Sequence, residues 1–184
     1  VYFPNIMPGL ATVFMWLYIF SPTQSGALNM ILRAFGGKPS VWLNNPHLTI
    51  ILIVITLTWK GAGATALIYL AGLSGINREL YEAATIDGAG VVSRVIHVTL
   101  PDMWNLARTM LVLQIISVFQ IFYEPLVLTH GGPNDASISL MQMVYSYAFD
   151  KFNYARASAL SVVIFVILIL LTFLQNRVAR ERED

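Results

Sequence analysis

Cysteine is absent from the 184 residues, which excludes a disulfide framework, a thiolate metal site and a cysteine nucleophile. Charge is scarce. Lys, Arg, Asp and Glu make up 11% of the chain, against about 25% in a soluble domain. That shortage excludes an ordinary soluble enzyme and a disordered tail, and a net charge of +1 excludes a basic nucleic-acid binder, so no nucleic-acid partner is expected. The common chemical motifs are missing as well. Gly36-Gly37-Lys38-Pro39 is not a phosphate-binding loop, and there is no H-E-x-x-H and no calcium-loop pattern. His47, His97 and His130 are far apart in sequence and fall at segment edges, where histidine is ordinarily solvated rather than a ligand or base. No nucleophile has a nearby base. Neither catalytic residues nor a metal or cofactor is expected, and an intramembrane enzyme is disfavoured.

What the chain has is apolar sequence: 57% of it is hydrophobic. A spanning helix needs about 20 mostly apolar residues, since the hydrocarbon core is about 30 Å thick. Four runs qualify on sequence: Phe3–Phe20, Leu48–Leu73 with Lys60 inside it, Met103–Leu128, and Ala155–Gln175. The reading is an all-α integral membrane protein, a polytopic helical bundle with about four transmembrane helices. No cleavable signal is expected, because a basic leader is missing and Pro4 and Pro8 interrupt the first run. The abrupt apolar start predicts a fragment that lacks earlier helices.

The connections differ in character. Ser21–His47 is rich in Gly and Pro, with Asn29–Phe35 predicted as a short interfacial helix. Thr129–Tyr154 opens on a turn at Gly131-Gly132-Pro133 and continues as an amphipathic stretch over Ser139–Phe152. Asn176–Asp184 reads as a charged, solvated tail. Basic residues bias Ser74–Pro101 and the C-terminus to the cytoplasmic side: Arg78, Arg94, Arg108, Arg177, Arg180 and Arg182 against Arg33, Lys38, Lys151 and Arg156.

Ser74–Pro101 is the most patterned segment. Asn77 suits an N-cap, and Glu79 follows in the first turn, where the helix dipole favours an anion. Arg78–Asp87 reads as a helix stopped by Gly88 and Gly90. Ala83 and Ala84 leave its middle without bulk, so another protein surface can approach closely, and Glu82 supplies a charge for orientation. A second short helix is predicted over Val91–Val98, with Pro101 at the first position of the third span, where its missing N–H is harmless. A plain helical hairpin loop is the alternative.

Glu82-Ala83-Ala84, three residues, Gly88, nine residues, Val98, one residue, Leu100-Pro101 resembles the EAA loop of ABC-importer permeases. Average composition yields this string in such a chain about a few times per million, so chance does not account for it. Trp59, Ala71-Gly72-Leu73, Leu80-Tyr81, Ile86-Asp87-Gly88-Ala89 and Leu128-Thr129-x-Gly131-Gly132-Pro133 are similar to the sugar and glycerol-phosphate branch. The resemblance covers nearly the whole chain. It implies the C-terminal part of a type I permease domain over 1–184, with a cytoplasmic coupling loop over 74–101.

The resemblance further implies a multi-pass protein of a bacterial or archaeal plasma membrane, in contact with lipid. Two permease subunits form the pathway. A cytoplasmic ABC ATPase receives the EAA loop, so hydrolysis belongs to a separate subunit and this chain is not an enzyme. An extracytoplasmic solute-binding protein delivers the solute. Glu82, Ala83, Ala84, Asp87, Gly88, Leu100 and Pro101 are the implied docking residues. A secondary transporter fragment and a non-transporting membrane scaffold are the competing classes.

Polar residues at membrane depth form a second pattern, because they are costly in hydrocarbon and face bundle interiors. Lys60 lies near the middle of the second run and Gln114 near the middle of the third. Gln114, Ser117, Gln120 and Glu124 fall within about 120° on a helical wheel. Gly61 and Gly63 beside Lys60 offer either close packing or space for a ligand. Lys60, Gly61, Gln114, Ser117 and Gln120 are candidates to line a pathway for a hydroxyl-rich solute, with helix–helix hydrogen bonding as the competing role. Glu124 reads as a snorkelling residue, and Trp16, Tyr18, Trp42 and Tyr123 as interface anchors.

Overall fold

Prolines decide where the helices stop. The structure, a computed structural model, describes residues 2–180. Among them are helices and turns and no strand. The first apolar run is divided: α1 covers Phe3–Ile6 and α2 covers Gly9–Ile19. Pro8 holds an extended backbone with φ −54° and ψ 136°, and Met7 before it is extended too. Both follow from the proline ring, which fixes φ and pushes the preceding residue out of the helical region. The expected span Phe3–Phe20 is therefore corrected to a short helix of 11 residues, below spanning length.

After α3 (Ala27–Ala34), which agrees with the short helix expected there, the chain returns through a 3₁₀ turn at Trp42–Asn44. Helix α4 then runs 29 residues, Pro46–Ser74. Asn45 caps it by accepting from the His47 N–H, and Pro46 sits in the first turn, where no N–H is needed. Lys60 does not interrupt it.

The third run is not a simple rod. A four-residue α6 (Val91–Arg94) passes through a π turn at Val95–Thr99 into α7 (Leu100–Phe119), forming one continuous helical stretch. Pro101 therefore lies inside this stretch instead of opening a separate span. Its ring removes one N–H and crowds the carbonyl four residues back. The π turn directly before it accommodates the defect, with the Leu100 N–H donating to the Val95 carbonyl. At the other end the helix breaks over Gln120–Phe122 and resumes as α8 (Tyr123–Thr129), bent by 43°. Pro125 explains the break: a continuous helix would need its N–H and would press its ring against the Ile121 carbonyl.

Ser139 caps α9 (Leu140–Tyr145) by accepting from the Gln142 N–H, and a π turn over Ser146–Asp150 follows. Helix α10 covers Tyr154–Arg180 and so takes up the first part of the expected charged tail; residues 181–184 lie outside the described residues. Among the described residues, two helical segments, Pro46–Ser74 and Tyr154–Gln175, are long and apolar enough to cross a membrane, and the bent α6–α8 unit is a third if counted as one span. The four-run count becomes two or three because Pro8 and Pro125 cut two of the runs.

The core joins the first and third runs to α4. Val13 of α2 and Phe20 just after it, Leu43 of the 3₁₀ turn, Leu52 and Ile53 of α4, and Leu128 of α8 form one buried cluster. Lipid leaves little hydrophobic drive between helices, so this cluster is held by close van der Waals contact, small for each atom pair and large in sum. Trp16, Trp42 and Tyr123 are partly buried and pack against this cluster, whereas Tyr18 is exposed. Helices α4 and α7 cross at Gly72, where any Cβ would collide with the Leu106 side chain and come 3.1 Å from Met103 Cε. That crossing brings the polar face of α7 beside Lys60.

Candidate functional site

Lys60 stands at the midpoint of α4, one residue from Gly61, and faces the end of α7 and the start of α8. An open cavity of about 620 Å³ lies between them. Its wall includes Lys60, Gly61, Gln114, Ser117 and Gln120, together with Asn5, Tyr123 and Glu124. The five pathway candidates from the sequence therefore share one surface. The side chains of Gln114, Ser117 and Gln120 take no hydrogen-bond partner among the described residues.

Lys60 Nζ lies 3.8 Å from Glu124 Oε1, with the side chains 27% and 13% exposed. The pair matters because an isolated charge at this depth is strongly disfavoured, while a paired one is tolerated. Glu124 reaches Lys60 across the bend that Pro125 imposes, so it joins the polar cavity wall and pairs with a charge. Gly9, at the start of α2, fits closely alongside: a Cβ there would lie 3.6 Å from Lys60 Nζ and 3.5 Å from Tyr123 Cε1. Among the described residues, the buried Tyr123 hydroxyl has no hydrogen-bond partner.

Gly61 resolves its own ambiguity. Nothing lies within 4 Å of where its Cβ would be, so it leaves space rather than packing tightly. Gly61 and Gln114 also border a second cavity of about 710 Å³, lined mainly by apolar residues of α4 and α7 and closed by Ser137–Ser139. Sequence reasoning missed Asn5, which lines the cavity from α1. The available signal was a lone amide in an apolar run, the same kind that singled out Gln114.

The loop after α4 forms helix α5, Arg78–Ile86, as its local sequence dictates. Asn77 Oδ1 accepts from the Glu79 N–H at 3.0 Å, which supplies the N-cap. At the far end the Ala89 N–H donates to the Ala84 carbonyl at 2.9 Å and the Gly88 N–H to the Thr85 carbonyl at 3.1 Å. These two bonds are a Schellman closure, and Gly88 sits at its left-handed position with φ +76°. Glu82, Ala83, Asp87 and Gly88 are exposed and Ala84 is half-buried. Ile86 is 87% exposed, an apolar side chain at the helix end that the sequence offered only within the Ile86-Asp87-Gly88-Ala89 resemblance and not as a docking residue. Leu100 and Pro101 are exposed too, but they belong to the α6–α7 rod and are not on α5.

Residues 1–183 match the family model for the binding-protein-dependent transport system inner membrane component. The chain belongs to that family. Among the family's curated members it is 33% identical over 184 residues to the trehalose/maltose transport system permease protein MalF of Thermococcus litoralis, covering 100% of this chain and 62% of that protein. It is 31% identical over 171 residues to the sulfoquinovosyl glycerol transport system permease protein SmoG of Agrobacterium fabrum, covering 93% and 54%. The chain thus spans about three fifths of the length of these relatives. The fold is that of a chain in the crystal structure of a bacterial ABC transporter that imports the acidic polysaccharide alginate, with a TM-score of 0.89 at 23% identity, over 98% of this chain and 63% of that one. The helical membrane-component architecture expected from the sequence stands.

Proposed function

We propose that this chain is part of a permease subunit of an ATP-driven ABC importer and forms one side of the transmembrane pathway for a carbohydrate or related polyol. The observation that carries this reading is the gathering of Lys60, Gly61, Gln114, Ser117 and Gln120 on one cavity wall in a largely apolar bundle. A hydroxyl-rich solute needs such amide, hydroxyl and charged partners, few in number and fixed in place. Gln114, Ser117 and Gln120 are not engaged in hydrogen bonds within the described fold, which favours solute contact over helix glue. Relatives named for trehalose/maltose and sulfoquinovosyl glycerol transport support the same solute class.

In this reading residues 74–101 are the coupling loop, on the cytoplasmic side. Helix α5 docks on a separate ABC ATPase through Glu82, Ala83, Ala84, Asp87 and Gly88, while Leu100 and Pro101 set how the rod leaves the loop. The chain does not hydrolyse ATP, in keeping with a sequence that holds no phosphate-binding loop. A second permease subunit completes the pathway, and an extracytoplasmic binding protein delivers solute; a structure of the alginate transporter holds such a periplasmic protein.

The test uses the full-length subunit. Ala84→Trp places an indole on the small-residue face of α5, where close approach is needed. The ATPase is expected to co-purify with the unaltered subunit and to be lost with Ala84→Trp, while membrane insertion stays unchanged. ATP-dependent uptake of trehalose and maltose should fall in parallel. Undiminished ATPase recovery with Ala84→Trp would remove the docking assignment.

A further inference from the structure

Helix α5 is joined covalently to two neighbours but is braced against one. On the α4 side the chain passes through Gly75-Ile76-Asn77. On the other side, side chains of α5 reach the α6–α7 rod. Tyr81 Oη and Thr99 Oγ1 share a hydrogen bond of 2.7 Å, both residues being half-buried. Arg94 Nη1 donates to Thr85 Oγ1 at 3.2 Å, and the same Thr85 hydroxyl donates to the Tyr81 carbonyl at 2.7 Å. Among the described residues, the side-chain hydrogen bonds that leave α5 for another element end on Arg94 and Thr99.

The location of Thr99 gives the brace its meaning. Thr99 is the last residue of the π turn and lies two positions before Pro101. Here the ordinary helical ladder is interrupted, so the rod is least stiff. A brace fastened at this point makes α5 and the rod move together. Beyond it, α7 carries Gln114 and Ser117, about 22–27 Å further along at 1.5 Å per residue. Movement of α5 would thus reach the cavity wall through one continuous helix.

We propose that Tyr81 and Thr99 are a positioning pair: their hydrogen bond locks the coupling helix to the rod and directs its movement to the pathway face of α7. This rests on the reading of α5 as the ATPase-docking helix. Neither residue touches solute or nucleotide. Their role is to keep displacement of α5 from dissipating at the π turn. Coupling, rather than docking or hydrolysis, should depend on them.

The experiment needs no identified solute. The full-length subunit is made cysteine-free, given Ser117→Cys, and assembled with its ATPase and partner permease in lipid vesicles. A charged thiol reagent reads the labelling rate at position 117 with and without ATP and vanadate, alongside ATPase recovery and hydrolysis rate. Without further change, nucleotide should alter the labelling rate. With Tyr81→Phe or Thr99→Val, ATPase recovery and hydrolysis should stay within about twofold, while the nucleotide-driven change should shrink about fivefold, the scale of one lost hydrogen bond. Thr99→Ser keeps the hydroxyl and should restore the full change. The double variant should be no worse than either single one, because both remove the same bond.

A full nucleotide response in Tyr81→Phe and Thr99→Val would overturn the brace. So would equal loss in Thr99→Ser, since a hydroxyl-independent effect is not this bond. Failure of the docking reading looks different: Ala84→Trp would retain the ATPase, or position 117 would ignore nucleotide even without the brace variants.

Discussion

The indole N–H of Trp42 donates to Oδ1 of Asn29 at 2.8 Å, across a loop rich in glycine and proline. Asn29 is 0% exposed. Its Oδ1 also accepts from the Ser40 N–H at 2.8 Å, and its Nδ2 donates to the carbonyls of Thr23 and Ser40 at 3.0 Å and of Ser21 at 3.3 Å. One carboxamide thus closes the whole Ser21–Trp42 connection and seats Trp42 beside the core.

Asn29→Ala should therefore destabilise the fold by about 2–4 kcal/mol, since it leaves several buried groups without partners at once. Thermal unfolding of the detergent-solubilised full chain reads this. Asn29→Asp keeps the acceptor but loses the Nδ2 donors, and should be intermediate or worse. Trp42 emission should shift to the red in Asn29→Ala as the indole gains water.

Lys60 and Glu124 should behave as one unit. Lys60→Met and Glu124→Gln are each expected to lower uptake, and Lys60→Met with Glu124→Gln together should cost less than their sum. A coupling of about 1 kcal/mol is expected for a partly exposed pair. Gln114→Leu should lower uptake without affecting ATPase recovery, because it alters the cavity wall and leaves α5 untouched. Normal uptake in Gln114→Leu would assign that amide to structure alone.

Gly88 should tolerate substitution only by residues at ease with positive φ. Nothing lies within 4 Å of its Cβ position, so crowding by neighbours is not the constraint; the backbone is. Gly88→Ala should cost about 1 kcal/mol of loop stability and Gly88→Val more, while Gly88→Asn should be the mildest. The order Asn, Ala, Val should appear in ATPase co-purification as well. A reversed order would mean that the loop closes differently on its partner.

Topology has a direct probe in the full-length subunit made cysteine-free, since residues 1–184 contribute no cysteine. Gly90 faces open space, so Gly90→Cys should be reactive without disturbing the loop. An impermeant maleimide added outside intact cells should leave it unlabelled, and the same reagent should label it in inverted vesicles. Labelling from outside would reverse the proposed orientation of α5.

The parts of this fold that were legible in the sequence are those made by neighbouring residues. The Asn77 cap, the Gly88 closure and the bounds of α5 depend on contacts within a few positions, and residue type alone specifies them. Hydropathy located α4 and α10 because each is a long apolar helix without an internal proline. It failed at Pro8 and Pro125, where an apolar run continues but the backbone cannot. Gln114 and Ser117 lie on α7 at helical spacing and Gln120 caps its end, so the wheel brings the three to one cavity wall. Asn29 was read only as the start of a short helix, since its role depends on Ser21, Thr23, Ser40 and Trp42, which only the folded loop brings together. The Lys60–Glu124 pair was hidden for a similar reason: it depends on a bend whose angle no periodicity encodes.

The continuous helix from Val91 to Phe119 has a mechanical corollary. At roughly 1.5 Å per residue it is about 40 Å long, with α5 at its base and the cavity near its tip. If the Tyr81–Thr99 brace holds the π turn stiff, a lever of that length turns a tilt of about 5° at the loop into a displacement of about 3.5 Å at Phe119. That exceeds the diameter of a water molecule. The same tilt shifts Leu106 by only about 2 Å at the Gly72 crossing, so the gap between Lys60 and Gln120 changes more than the contact where α4 meets α7.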